Sequence, residues 1–202
     1  MEGPFQLSIS EGGQARRADA VRNRGLALEA ATALLAEPGA ALTVEAIAAR
    51  AGVGMATVVR AFGSKDALLD AAVAGLLAPV VDRAEQLLAQ VGPEQALRTF
   101  LRELIAFQSA HHALSDQLTG AQAPATAALR RRLVSAVEQM IVGARGQGAI
   151  RADLEPAVVV TLVSRTALAV AQARPASDDV VRAYLTVLMD GLRPPTSGPR
   201  DA

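Results

Sequence analysis

The chain has 202 residues, 51% hydrophobic and 20% charged, so it is too apolar to be wholly disordered and long enough to bury a sizeable core as one large domain or as a small domain joined to a larger one. It has no cysteine, which excludes a disulfide scaffold, a thiol nucleophile and a thiolate-based zinc site; its two histidines, His111 and His112, are adjacent and diverge on a helix. Lys+Arg and Asp+Glu both number 20, so any attraction to nucleic acid has to be local.

Alanine supplies 44 residues and aromatics only 2%, a composition that favours closely packed helices over sheets. The spacing predicts a flexible arm over residues 1–15, then a first helix from Arg16 to Glu37 on the apolar positions Leu28, Ala31, Leu34 and Leu35. Pro38-Gly39 ends it, because proline breaks the hydrogen-bond ladder and glycine accepts a left-handed exit. Thr43 caps a short helix VEAIAARA, Gly52-Val53-Gly54 turns the chain, and MATVVRAF makes a third helix of about two turns. Ser64 opens the next helix, which either runs past Pro79 with a kink or is divided there.

Gly92-Pro93 is the clearest break, followed by the amphipathic helix EQALRTFLRELIAFQS. Asp116 to Pro124 reads as a short helical or irregular piece, and Ala125 to Arg145 as a long helix on Leu129, Leu133, Val137, Met140 and Ile141. Glu155 to Ala173 and Asp178 to Leu192 complete the set, although PAVVVTLVS alone could be a buried strand; its continuation through TALAVAQA argues for helix by length. The tail 194–202 reads as disordered. The first fifteen residues lack a basic head followed by an apolar stretch, and the longest apolar run, Ala71 to Val81, is well short of the roughly 20 residues of a spanning helix. A soluble cytoplasmic protein with no membrane contact is expected.

TVEAIAARAGVGMATVVRAF is the most informative segment: a two-turn helix, a glycine-bearing turn and a second short helix write a helix-turn-helix. Val44, Ile47, Ala48, Val53 and Val58 would hold the helices together, leaving Met55, Ala56, Thr57 and Arg60 for the outer surface. Small residues at the leading end allow close approach to a major groove. Between Gln14 and Lys65, seven basic residues (Arg16, Arg17, Arg22, Arg24, Arg50, Arg60, Lys65) face four acidic ones (Asp19, Glu29, Glu37, Glu45), and phosphate contact needs only the correct face to be positive.

Residues 20–70 resemble the DNA-binding domain of the TetR family of transcriptional regulators. Arg24, Leu28 and Ala30-Ala31, then Thr43, Ile47, Ala48, Ala51-Gly52-Val53, Thr57, Phe62, Ser64, Lys65, Asp66 and Leu68 fall in step with the family pattern without a gap. GARGQGAIRADLEPAVVVTLV resembles, less specifically, the junction before that family's dimerising helices. Four positions depart: Gly54 stands for the capping serine, Ala56 for a glycine, Val59 for the tyrosine and Ala61 for the histidine. Val59 and Ala61 remove two backbone contacts that Arg60, Lys65, Thr43 and the arginine-rich arm could replace.

The resemblance implies an all-α protein: a three-helix head over 16–72 and a helical body over 73–193 that dimerises and encloses an effector. DNA-binding residues would be Arg24, Thr43, Gly54, Met55, Ala56, Thr57, Arg60 and Lys65. Thr57 packs coreward or touches the groove, Met55 is a surface methionine or a base reader, and Thr43 caps its helix and could meet a phosphate as well. Phe62 is expected in the core. Effector lining would come from Leu104, Phe107, His111, Leu118, Leu133, Val137 and Met140, with His111 and His112 either at the surface or pocket edge or bonded to the ligand.

Partners implied are a palindromic double-stranded operator, a small apolar effector and a second subunit; no cofactor, metal or catalytic residue is expected. The dimer would use Val158, Leu162, Leu168, Val181, Tyr184 and Leu188, spread over more than one face of the last two helices. Arg165, set in an apolar run, would pair across the interface, face solvent or meet an anion. The expected function is that of a repressor released by its effector. The alternatives are a helix-turn-helix regulator without an effector, or a dimeric ligand-binding protein that has lost operator binding.

Overall fold

The computed structural model describes residues 7–37, 39–111, 124–173 and 177–195, with the backbone alone for 7–12. Among these residues the chain is all α: α1 (Leu7–Ala36), α2 (Val44–Ala51), α3 (Met55–Phe62), α4 (Lys65–Gln90), α5 (Pro93–Ala110), α6 (Pro124–Gly146), α7 (Pro156–Gln172) and α8 (Asp178–Leu192). PAVVVTLVS is therefore helical, as its length argued. One expectation changes. The first helix begins at Leu7, inside the stretch read as a flexible arm, since no proline interrupts the ladder between Leu7 and Arg16. Of the two alternatives at Pro79, continuation holds: α4 runs through it. Asp116 to Ala123, His112 and the tail from residue 196 lie outside the described residues.

Side-chain caps mark three of the helix starts. Thr43 Oγ1 accepts from Ala46 N at 3.1 Å, Ser64 Oγ from Ala67 N at 3.1 Å and Ser177 Oγ from Val180 N at 3.4 Å. Gly52 closes α2 with φ of 66°, the left-handed exit that only glycine takes without cost.

Burial resolves into two clusters. One joins α1, α2, α3 and the start of α4, around Ala27, Ala31, Leu35, Ile47, Ala48, Val58, Leu68 and Ala72. The other joins the end of α4 with α5 to α8, around Leu97, Phe100, Ile105, Met140, Ile141, Val163 and Met189. Alanine builds both: Ala27, Ala31, Ala84, Ala96, Ala144 and Ala167 are fully buried, which lets backbones approach closely where aromatics are scarce. The α4 helix lies along α6 and belongs to both clusters.

The α6 to α7 connection is pinned rather than loose. Ile150 is buried, Arg151 N donates to Leu192 O at 2.7 Å, and the Arg145 guanidinium donates to the carbonyls of Leu154 and Ala152.

Candidate nucleic-acid interface

The head positions α3 by packing one side of it and leaving the other bare. Val58 points inward with 2% of its surface exposed, together with buried Ile47 and Ala48; Val44 and Val53 pack partly buried against the same cluster. Met55, Ala56, Val59 and Arg60 are exposed, and their spacing of one and four residues gathers them on one face. Thr57 is half-buried, with its hydroxyl near Gly54, so it belongs to the boundary of that face. Gly54 gives α3 no side-chain cap, which leaves first-turn amides free for an external acceptor such as a phosphate.

Thr43 at the start of α2 and Lys65 in the first turn of α4 are also exposed. Glu45 lies beside both. Its carboxylate is held below the ordinary glutamate range by a backbone amide, then by the Thr43 hydroxyl, with Lys65 adding a weaker pull. Lys65 thus has an acidic neighbour and is exposed, but forms no ion pair with it among the described contacts.

Arg24 is exposed and also has partners within the head. Its Nη1 donates to Ala61 O at 2.5 Å and its guanidinium lies 4.1 Å from the centre of the Phe62 ring, so it clasps the end of α3 to α1. Phe62, expected in the core, is half-buried beneath that guanidinium. The sequence reading missed Val59. It treated this residue only as the absence of a phosphate-binding tyrosine, whereas the valine stands 46% exposed on the outer face, four residues after Met55; that spacing was the available signal.

The proposed effector residues separate. Met140 and Val137 are buried in the body core, with Leu104 and Leu133 packed partly buried against it. Phe107 packs instead against the head cluster. The His111 ring stacks on Phe107 at 4.6 Å, and its Nδ1 lies 2.9 Å from the Phe107 carbonyl. Leu118 lies outside the described residues. None of the six described ones lines the grooves bounded by Arg98 and Arg182, by Arg130 and Glu138, or by Glu85 and Gln139.

Of the residues named for the dimer, Val158 and Leu162 stand about half exposed. Val181, Tyr184 and Leu188 instead pack against the chain's own core. On α8 the outward apolar residues are Val180 and Val187, the latter 74% exposed, because a helix against a small core turns only one stripe inward. Arg165 is exposed.

Among the described residues no group of three His, Cys, Asp or Glu could hold a metal ion, and no helix is long and apolar enough to cross a membrane. Two family models match the chain. "Bacterial regulatory proteins, tetR family" matches residues 27–72, and "Transcriptional regulator SbtR-like, C-terminal domain" matches residues 92–194. No curated protein matches.

Several solved structures are similar. A TetR transcription regulatory protein from Mycobacterium vanbaalenii is 32% identical, with a TM-score of 0.58 over 88% of this chain and 98% of that one. A TetR transcriptional regulator from Streptomyces coelicolor is 29% identical, with a TM-score of 0.58 over 85% and 99%. The regulator FadR from Bacillus subtilis, solved in complex with stearoyl-CoA, is 16% identical with a TM-score of 0.67 over 83% and 96%, and shares the fold alone. With a capped helix-turn-helix whose second helix bares one face, a helical body matched over residues 92–194 and a relative above 30% identity, the chain belongs to the TetR family of DNA-binding transcriptional regulators.

Proposed function

We propose that this regulator is a homodimeric cytoplasmic repressor, acting at the nucleoid, that reads a palindromic operator through α3 and releases it on binding a small apolar effector. The head, 16–72, would carry the DNA contacts and the body, 73–193, the dimer and the effector. The observation that carries the reading is the bare face of Met55, Ala56, Val59 and Arg60 on α3, in a head where Thr43 and Lys65 are exposed as well. Arg60 is the base reader, since a guanidinium can pair bidentately with a guanine edge, and Met55, Ala56 and Val59 offer apolar contact to thymine methyls. Lys65, Thr43 and the open amides after Gly54 meet phosphate, with Thr57 at the edge of the groove face. Arg24 acts by holding α3 in place.

Dimerisation through the outward residues of α7 and α8 would set two copies of α3 about 34 to 36 Å apart, one DNA turn. Release requires an effector that prefers the DNA-incompetent arrangement, because equal affinity for both states shifts nothing. The fold can host a ligand, as stearoyl-CoA in FadR illustrates. The effector lining is Leu104, Phe107, His111, Leu118, Leu133, Val137 and Met140, and opening it would require repacking of Val137 and Met140.

That same burial favours a second reading, a regulator whose body serves association alone. A thermal-shift screen with apolar metabolites separates the two: stabilisation that scales with ligand concentration supports the effector, and none across the screen supports the second reading.

The DNA reading is tested by selecting duplexes from a random library and measuring their affinity against salt. A palindromic motif is expected. For Lys65→Ala, the magnitude of the slope of log affinity against log salt should fall by roughly 0.9, the value for one phosphate, equally on cognate and random duplex. An unchanged slope would return Lys65 to an ordinary solvated lysine, and failure to select any duplex would reject the reading.

A further inference from the structure

Most arginines of the body are spoken for. Arg83 holds Glu103 with two bonds of 2.9 and 3.0 Å, Arg132 holds Asp82 and Glu85, and Arg151 holds Asp153. Arg98 and Arg102, four residues apart on α5, are different. Arg98 has no hydrogen-bond or ion-pair partner among the described residues. Arg102 meets Glu103 only through space, and both oxygens of that carboxylate are engaged by Arg83. Like charges at this helical spacing repel, so their shared orientation calls for an anion.

Both line a groove of about 390 Å3 between α5 and α8, and Arg182 faces them from α8. Arg182 does touch Asp179, at 3.2 Å, but the two side chains are 75% and 85% exposed, and such a solvated pair is readily given up. Three guanidiniums therefore meet one carboxylate, Asp178, in the groove wall. The floor is apolar: Leu185 is buried and Val181 half-buried against the body core. Thr99 adds a hydroxyl that makes no hydrogen bond among the described residues. The outward apolar residues of α8, Val180 and Val187, take no part in the groove, and neither do the residues assigned to the effector.

We propose that this groove is a second ligand site for small amphipathic organic anions, whose carboxylate or phosphate head is gripped by Arg98, Arg102 and Arg182 and whose short apolar part lies on Val181 and Leu185. Guanidinium forks match both kinds of head bidentately, so the chemistry common to the two is an oxyanion on an apolar stem.

Isothermal titration of the full chain with hexyl phosphate, hexanoate, inorganic phosphate and hexylammonium tests the site. The two anionic amphiphiles should bind, inorganic phosphate more weakly and hexylammonium not at all. Binding by hexyl phosphate without hexanoate would support the site with a doubly charged head, and the converse would support it with a carboxylate head. The double substitution Arg98→Gln with Arg102→Gln should weaken binding by at least about tenfold, whereas Arg131→Gln, exposed on α6 and outside the groove, should leave it unchanged. Both positions of the double variant are exposed, and circular dichroism checks that its helices persist.

Three results would overturn the proposal: no heat from either amphiphile at millimolar concentration, hexylammonium binding as well as they do, or a double variant within about twofold of the parent. Inorganic phosphate binding as tightly as hexyl phosphate would overturn the apolar half.

Discussion

The carboxylate of Asp70 on α4 caps α6 through Thr126: Asp70 Oδ1 accepts from Thr126 Oγ1 at 2.6 Å and from Thr126 N at 3.0 Å, and Oδ2 accepts from Ala125 N at 3.3 Å. Thr126 is the one buried polar side chain among the described residues, 2% exposed, and its hydroxyl is satisfied by this contact. The start of α6 at Pro124 is thus capped from 56 residues away in sequence, by an acid placed where the helix dipole favours negative charge.

Thr126→Val should destabilise the protein by about 1 to 3 kcal/mol, because it removes a charge-assisted bond from a dry site while keeping the side chain's shape. Asp70→Ala should cost about 1 to 2 kcal/mol through the missing cap. Urea denaturation measures both, and the two effects should not add, since they break the same hydrogen bond. Full additivity would show that the pair does not act as a unit.

Two glycines should respond oppositely to alanine. A Cβ on Gly143 would stand 2.8 Å from Pro93 Cγ and 3.0 Å from its Cβ, so α6 approaches the start of α5 only because the side chain is missing. Gly143→Ala should cost about 1 to 3 kcal/mol as overpacking. Gly75, inside α4 with nothing near a Cβ, should gain about 0.5 to 1 kcal/mol on the same change. Melting temperatures that move in one direction for both would contradict these packing assignments.

Glu103 makes part of the acid sensitivity predictable. Arg83 hydrogen bonds hold its carboxyl below the ordinary glutamate value, with burial opposing. The unfolded chain therefore takes up the proton first. The stabilisation is complete above the ordinary value and is lost as pH falls through the lower folded one. Glu103→Gln should be less stable than the parent at neutral pH, with the difference shrinking in acid. A difference that is constant with pH would mean that the ion pair contributes nothing.

Val187 should decide the oligomeric state. At 74% exposed it contributes nothing to the fold of a single subunit, so Val187→Asp should leave the monomer folded while breaking an apolar interface. Sedimentation velocity should give about twice 20.8 kDa for the parent and the single-chain mass for the variant. A parent that sediments as one chain at micromolar concentration would remove the operator geometry with it.

Local chemistry was legible in the sequence. Thr43, Gly52 and Ser64 announced the ends of α2 and the start of α4, because a cap acts within three or four residues of itself. The outward face of α3 followed from its small residues and Arg60. The Asp70 to Thr126 bond was not legible, since nothing local pairs an acid with a helix start so far away. The same limit hid the clasp of Arg24 on Ala61 and Phe62. Periodicity identified Leu133, Val137 and Met140 as an inward stripe, but the spacing is the same whether such a stripe meets neighbouring side chains or an open space.

The continuity of α4 bears on how the protein comes apart. Its 26 residues span about 39 Å, with Leu68, Leu69, Ala72 and Val73 in one cluster, Ala84 and Leu87 in the other, and Leu77 and Val81 buried between them. Neither cluster can melt fully without fraying a helix that the other still holds, so the two behave as one cooperative unit. The ladder nevertheless has a seam. Pro79 donates no amide to the Gly75 carbonyl, and both residues face solvent. Attack by a protease should begin there, where backbone is already unpaired and glycine adds freedom, and a cut at that point removes the coupling, so that head and body then melt separately.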